Sequence, residues 1–433
     1  MTIEKIATTV DHIAVRPGDQ GYDEARTTFA GPATPELVLR PTTPDEVAAS
    51  LRHARAQGLQ VAVRSGGHNA MGFGSIDGGA VIDLSRMDRV EPLGGDRVRI
   101  GAGATWGPAA AALAEHGLAI TSGDTVSVGV GGLTQAGGIG WMVRKHGLTI
   151  DSLLAAEVVT AAGDVVRASA TENPDLFWAL RGGAGNFGVV TAFEFRAQRV
   201  STVVFGTITF ALDDVAELLR RWAGAMRSAP DELSTTLVLM PGFGDAPPGA
   251  VLYVCLAGED DSALEPLRGI GTVLGDDVSE LPYAEGLEEA HPPPGVLPVI
   301  GNTLVETVDE PLVEAIVTAH AAGGRVVFLR SLGGAFGRVD RAETAFAHRA
   351  AEALVVSAAF LAPDATPDQV AEARSVWHPI GDRGVGSYAG FLGSDTPEDI
   401  AGVWPAETLA RLREVKRAWD PDNVFRRNFN VAP

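Results

Sequence analysis

Cysteine is nearly absent from this chain. Cys255 is the only one in 433 residues, so no internal disulfide can form and a metal site built from several thiolates is excluded. It lies in the apolar run Val251-Leu-Tyr-Val-Cys-Leu-Ala and reads as a core residue. Lysine is scarce too, occurring at positions 5, 145 and 416 with arginine supplying the other basic groups, a bias expected of a GC-rich bacterial source. Positive charge as a whole is short: 34 Lys and Arg stand against 55 Asp and Glu, for a formal net charge of -21. Such a surface repels phosphate backbones and acidic bilayers, so neither nucleic acid nor a membrane is an expected partner. There is no uncharged apolar run of about 18 residues, and Met1–Val10 lacks a basic stretch leading into an apolar one. The expected location is therefore cytoplasmic.

What is present suits a globular enzyme. The length exceeds what one hydrophobic core usually supports, so two domains or a large insertion are expected. Thr43-Pro44-Asp45-Glu46 carries an N-cap, a first-turn proline and a capping-box carboxylate, and Val47, Leu51 and Ala54 follow at helical spacing up to Gly58. Short strands are expected at 59–63, 80–84 and 98–102, and a helix at 106–115. Ala155–Thr160 and Asp164–Ala168 read as a hairpin joined by Ala-Ala-Gly. A helix from Asn173 through Leu180 and a strand at Val189–Arg196 complete this part. Beyond Val200 longer strands and amphipathic helices alternate: 203–211, 215–226, 233–239 and 250–256. A last helix is expected at 407–419.

Three glycine-dense segments lie within the first 190 residues: Arg64-Ser-Gly-Gly-His-Asn69, Gly123–Gly140, and Gly182-Gly-Ala-Gly-Asn-Phe-Gly188. Glycine lets main chain approach a ligand closely, and successive N–H groups suit phosphate. None of the three matches the G-x-G-x-x-G turn of a Rossmann unit or the Walker pattern. A dinucleotide bound outside a Rossmann fold is the expectation.

The motifs occur in a telling order: R-S-G-G-H-N at 64–69, Asp83-Leu-Ser, Val128-Gly-Val-Gly-Gly132, Gly137-Gly-Ile-Gly140, Asp175-Leu-Phe-Trp-Ala-Leu-Arg-Gly-Gly183, Gly185-Asn-Phe-Gly-Val-Val-Thr191, and Leu412-Arg-Glu-Val-Lys-Arg-Ala-Trp-Asp-Pro-Asp-Asn423-Val-Phe. Together they resemble the berberine-bridge-enzyme-like FAD oxidases of the vanillyl-alcohol oxidase superfamily, over nearly the whole chain. The resemblance implies an α+β protein with a PCMH-type FAD-binding domain of two α+β subdomains at 1–200 (core about 35–200). It implies a substrate domain at 201–385, an antiparallel sheet backed by helices, and a segment at 386–433 that returns to the FAD.

It also implies covalent FAD, bonded from the flavin 8α carbon to His68. The chemistry is intelligible as a neutral imidazole nitrogen adding to an electrophilic form of the flavin methyl group, and the histidyl substituent should raise the flavin potential. Many members add a second bond from a cysteine at the place held here by Thr125, so a single histidyl bond is expected, as in the histidyl-only subgroup. The family pattern further implies cofactor contacts from Arg64, Ser65, Gly66, Gly67, Asn69, Gly72, Gly123, Thr125, Val128, Gly129, Gly131, Gly132, Gly137, Gly138, Gly140, Val189, Tyr388, Asn428 and Asn430, with Asn423 available in the tail. Val128 is the position where valine accompanies oxygen reactivity. Tyr388, in Ser387-Tyr-Ala-Gly-Phe-Leu392, is a candidate base or substrate contact, with core packing the alternative. Gly390 departs from the family's usual Asn.

Other polar residues carry weaker expectations. Arg330 is placed toward the substrate cavity. His348, in Thr344-Ala-Phe-Ala-His-Arg349, is read as structural. His116 and His146 each precede glycine, where a cationic ring would suit a helix C-terminus. Glu259–Asp261 reads as a solvated turn, and no metal site is expected. The expected reaction is hydride removal from a C–OH, C–NH or activated C–H centre of a small secondary metabolite or amine to flavin, then reoxidation by molecular oxygen to hydrogen peroxide. Carbohydrate oxidation and a redox-neutral, flavin-scaffolded cyclisation or isomerisation are the alternatives, and a homodimer is allowed for.

Overall fold

A computed structural model describes residues 10–242, 247–258, 260–289 and 295–433. Glu259 of the acidic run and all but Val10 of the N-terminal stretch lie outside the described residues. The protein is α+β, and no helix among the described residues is long and apolar enough to cross a membrane.

The helix Pro44–Ala56 shows how local signals set the boundaries. Thr43 Oγ1 accepts from Glu46 N–H at 3.2 Å and Pro44 occupies the first turn. The expected capping box does not close. Glu46 instead accepts from the main-chain N–H of Thr42 at 2.7 Å and from His12 at 2.9 Å, one residue upstream of the box position. Val47, Leu51 and Ala54 are fully buried, and Gly58 turns the chain at φ +70° into the strand Val61–Arg64. That strand lies parallel to Ala80–Asp83, which also pairs in parallel with Leu37–Leu39. Both parallel strands deliver site segments: Val61–Arg64 runs into the first glycine turn, and Ala80–Asp83 ends on a buried carboxylate.

A second sheet is antiparallel, in the order Val165–Ser169, Leu153–Val159, Val189–Arg196, Arg97–Gly101, Val90–Gly94. The expected hairpin pairs Val159 with Val165, closed by Gly163 at φ +87°. The third large sheet has seven antiparallel strands in the order Val273–Pro282, Thr202–Ala211, Gly249–Leu256, Leu233–Met240, Arg325–Ser331, Ala353–Leu361, Leu297–Val305. Strand alternation gives its two faces different partners. Leu252, Val254, Leu256, Val327 and Leu329 pack under the helices Val215–Ser228 and Glu310–Ala321. Tyr253, Cys255, Ile300 and Phe328 face the other way and join the core that contains the two smaller sheets. Cys255 is thus closer to the glycine-rich half than its position in the chain suggests. It is fully buried, and burial pushes its thiol up to about 12, so it is inert core.

His146 departs from expectation. It ends the helix Val143–His146, but burial pushes its pKa down to about 4, so the ring is neutral and cannot complement the helix end as a cation. His348 is structural as read: its Nε2 lies 3.1 Å from the carbonyls of Gly402 and Val403. In the acidic run, Asp260 accepts from Ser262 N–H and caps the short 3-10 helix Asp261–Leu264, so a helical turn stands where a solvated turn was expected.

The chain returns to the first core through the helix Ala406–Trp419. Lys416 on this helix is fully buried and donates to Asp420 at 2.6 Å, to the Asn186 carbonyl at 2.7 Å and to the Phe425 carbonyl at 2.9 Å. Asp420 in turn accepts from the N–H groups of Val424 and Phe425. Removing one partner strands a buried charge, which costs about 3–5 kcal/mol. Lys416→Met should lower the unfolding free energy by about that amount and loosen the tail, measured by denaturant unfolding and by protease cleavage after residue 419.

Candidate active site

Two glycine segments cross at van der Waals distance. A Cβ on Gly66 would lie 2.4 Å from Gly129 N, and one on Gly129 would lie 2.2 Å from Gly66 N and from Ser65 Oγ. Ser65 fastens the crossing, donating to the Ala102 carbonyl at 2.6 Å and accepting from Gly131 N–H at 3.2 Å. Gly67 takes φ +71° to turn the chain out toward His68. Beneath the turn, Arg64 is buried and donates to Asp83 at 2.9 Å and to the carbonyls of Ala25 and Thr27. Arg40 also contacts Asp83, at 3.2 Å. The Arg64 guanidinium is therefore spent on the scaffold, and the partner it holds is the aspartate of the Asp-Leu-Ser motif.

Around this crossing opens a cavity of about 410 Å3. Ser65 through Ala70 form one wall, Gly123–Thr125 with Val128, Gly129, Gly131 and Gly132 another, Gly188 and Val190 a third, and Phe425, Arg427, Asn428 and Phe429 of the tail a fourth. His68 lies in it, stacked on Phe29 at 4.6 Å between ring centres and 27° between planes. Its Nε2 is 2.6 Å from Ser127 Oγ, which donates to Glu289 Oε1 at 2.6 Å.

The seven-stranded sheet closes the remaining side with Ile300 and with Tyr388–Phe391. Asn302 clamps the main chain of Tyr388 from both sides, accepting from its N–H at 2.7 Å and donating to its carbonyl at 3.2 Å. The Tyr388 hydroxyl accepts from Gly138 N–H at 3.3 Å, and burial pushes its pKa up to about 12. That shift opposes service as a base at neutral pH, where the phenol stays protonated. Gly390 packs closely on the Tyr388 ring: a Cβ there would lie 2.5 Å from it.

Arg330 does not line the cavity. It is buried, donates to Thr236 Oγ1 at 3.0 Å, stacks over Trp141 at 4.7 Å and forms an ion pair with Asp124. Asp124 is the group that reaches the wall. Burial works against ionisation of its carboxyl, but the Arg330 guanidinium and the hydrogen bond from Thr125 together outweigh burial and hold the pKa below the ordinary value.

Of the positions expected to contact a cofactor, Arg64, Ser65, Gly66, Gly67, His68, Asn69, Gly123, Thr125, Val128, Gly129, Gly131, Gly132, Tyr388 and Asn428 line the cavity. Gly72, Gly137, Gly138, Gly140, Val189 and Asn430 do not. Gly140 is packed against the Ser122 carbonyl and Gly138 against Thr149, so these glycines serve chain crossings. Val189 is fully buried on the opposite side of its strand from the lining pair Gly188 and Val190. Sequence reasoning missed Asp124, Ser127, Glu289, Asn302 and Phe29. Asp124 had a signal, being the one charged residue between Gly123 and Gly140. Ser127 and Glu289 had none, because 162 positions separate them.

Comparison with known proteins settles the family. A model described as "FAD binding domain" matches residues 35–169, and one described as "Berberine and berberine like" matches residues 402–432. An (R)-6-hydroxynicotine oxidase of Paenarthrobacter nicotinovorans is 32% identical over 464 residues, covering 99% of each chain. The chain belongs to the berberine-bridge-enzyme-like family. As a member of that family it is an FAD-linked oxidoreductase. A crystal structure of 6-hydroxy-D-nicotine oxidase from Arthrobacter nicotinovorans superposes with a TM-score of 0.86 at 30% identity, covering 97% of each chain. A glucooligosaccharide oxidase of Sarocladium strictum is 38% identical over 210 residues, covering 47% of this chain and 42% of that one.

The residues present fit the family's flavin. The cavity is walled by main chain at the glycine crossing, and the buried side-chain oxygens of two lining residues, Gln135 Oε1 and Asn428 Oδ1, have no partner among the described residues. Buried polar atoms of this kind normally have partners, and a polar ligand would supply them. Because the clash at Gly129 is with main chain, no rotamer change relieves it. Gly129→Ala should therefore cost about 3 kcal/mol and leave the purified protein without bound flavin, read from its visible absorbance relative to the protein band.

Proposed function

We propose that this family member carries FAD covalently on His68 and oxidises a small, largely apolar amine, with dioxygen as terminal acceptor and hydrogen peroxide as product. The observation that carries the substrate class is the acid–base content of the cavity. Its titratable lining side chains, among the described residues, are Arg64, His68, Asp124, Tyr388 and Arg427. Arg64 is committed to Asp83, Asp124 is held ionised below its ordinary pKa, and Tyr388 is held protonated. With His68 given to the cofactor, no group is poised near neutrality to take a proton from an alcohol.

An amine needs no such base. Its nitrogen lone pair can drive hydride departure from the adjacent carbon once the neutral form is bound. When bound, the flavin supplies the hydride-accepting ring. Asp124 offers an acceptor for a substrate N–H, and the Tyr388 hydroxyl, already accepting from Gly138, offers a donor. Ile300 and Phe391 supply apolar contacts on the sheet side, a wall that leaves the many hydroxyls of a sugar underpaired. Val128 lines the cavity, and a valine at this position supports the choice of dioxygen as acceptor.

Anaerobic mixing with a panel of cyclic amines should bleach the flavin absorbance, and readmitting oxygen should release peroxide. Bleaching by oligosaccharides but by no amine would refute the amine reading. His68→Ala should leave any bound flavin extractable with acid. Tyr388→Phe should slow the reductive step by about tenfold without changing the shape of its pH profile, because a phenol with a pKa of about 12 stays protonated through the ordinary tyrosine value near 10. Loss of a basic limb in that variant would overturn its role as a donor.

A further inference from the structure

The contacts of His68 point beyond its identity as an attachment site. The Ser127 hydroxyl has one proton, and it is donated to Glu289 Oε1 at 2.6 Å. Toward His68, also 2.6 Å away, the same oxygen can therefore only accept. Bond formation needs a neutral ring, and in that ring the hydrogen shared with Ser127 sits on Nε2 and leaves Nδ1 the lone pair. The Phe29 ring, stacked at 27°, fixes the imidazole plane. Glu289 is placed by main chain: Val126 N–H donates to the Glu288 carbonyl at 3.0 Å and Glu288 N–H to the Asp124 carbonyl at 2.9 Å. These two bonds clip 288–289 alongside 124–127 and set the carboxylate beside Ser127.

We propose that Ser127 and Glu289 form a proton relay that sets the tautomer of His68 and drives formation of its bond to the flavin. This rests on the reading of His68 as the attachment residue. In the step, Nδ1 forms a bond to the 8α carbon, which gives up one C–H proton to solvent. The Nε2 proton, which would otherwise leave a cationic ring, passes to Ser127 Oγ as Ser127 passes its own to Glu289. The electron pair of the lost C–H bond reduces the flavin, and dioxygen takes up two electrons and two protons to give hydrogen peroxide, restoring oxidised flavin. One N–H and one C–H hydrogen are consumed for each peroxide formed. Ser127 touches the histidine and Glu289 touches Ser127, so both act through His68 and are positioning residues.

The test follows attachment rather than turnover. Full-length protein and variants are incubated with excess FAD, sampled over time and precipitated with acid, and the flavin retained is read together with intact mass. Wild type should reach complete attachment. Ser127→Ala and Glu289→Gln should slow attachment by about tenfold or more, and Ser127→Thr, which keeps the hydroxyl, should retain the wild-type rate. Glu289→Gln is decisive because its amide oxygen still accepts from Ser127 but cannot take up the proton; the residue is also exposed, so it serves should Ser127→Ala fail to fold. Unattached flavin in wild type would bring down the reading of His68. Attached flavin in wild type with an unchanged rate in Glu289→Gln would overturn the relay and leave the attachment standing.

Discussion

The contact between Gly66 and Gly129 constrains everything built around it. Two main-chain segments meet where neither has room for a Cβ, and that approach brings the turn carrying His68 against the segment carrying Asp124, Thr125, Ser127 and Val128. Neither segment could hold its course alone. Each is a loop with little side-chain mass to pack, so its path is set by what it touches. Ser65, bonded to Ala102 on one side and Gly131 on the other, converts the contact into a fixed junction.

Buried ion pairs hold the pieces that the junction cannot reach. Arg64 and Asp83 tie the first turn to the neighbouring parallel strand, Lys416 and Asp420 tie the tail to the third glycine segment, and Arg349 and Asp151 tie the seven-stranded sheet's long connection to the core at 2.8 Å. Each pair replaces lost hydration with several hydrogen bonds, the condition under which burial of charge is tolerated. Arg330 follows the same rule, but its carboxylate lies at the cavity wall. The pair therefore presents a fixed acceptor to a ligand while remaining nearly neutral in sum.

Much of this was legible in the linear chain where the controlling physics is local. The strand Val189–Arg196, the helix beginning at Asn173-Pro-Asp and the hairpin around Gly163 follow from periodicity and turn chemistry, and the ordered glycine motifs pointed to His68 and its surroundings. What escaped depends on contacts distant in sequence. His146 lost its charge to burial, which no helix-end rule can register. Arg330 faced the expected direction but stopped one residue short, behind Asp124. Val189 was misplaced by a single step of strand parity. Ser127 is an unremarked serine until the fold brings Glu289 to it, and Tyr388 loses its credentials as a base only once Asn302 and Gly138 are seen to hold it indoors.

The walls of the cavity come from residues as early as Phe29 and as late as Phe429. The glycine crossing needs only residues up to 131, but the fourth wall comes from Phe425, Arg427, Asn428 and Phe429. Segments so far apart in sequence meet only once the fold between them is in place, and bringing them together carries the entropy of closing a very long loop. A ligand held in the cavity touches both segments at once and so stabilises their closure over any arrangement in which the tail is undocked.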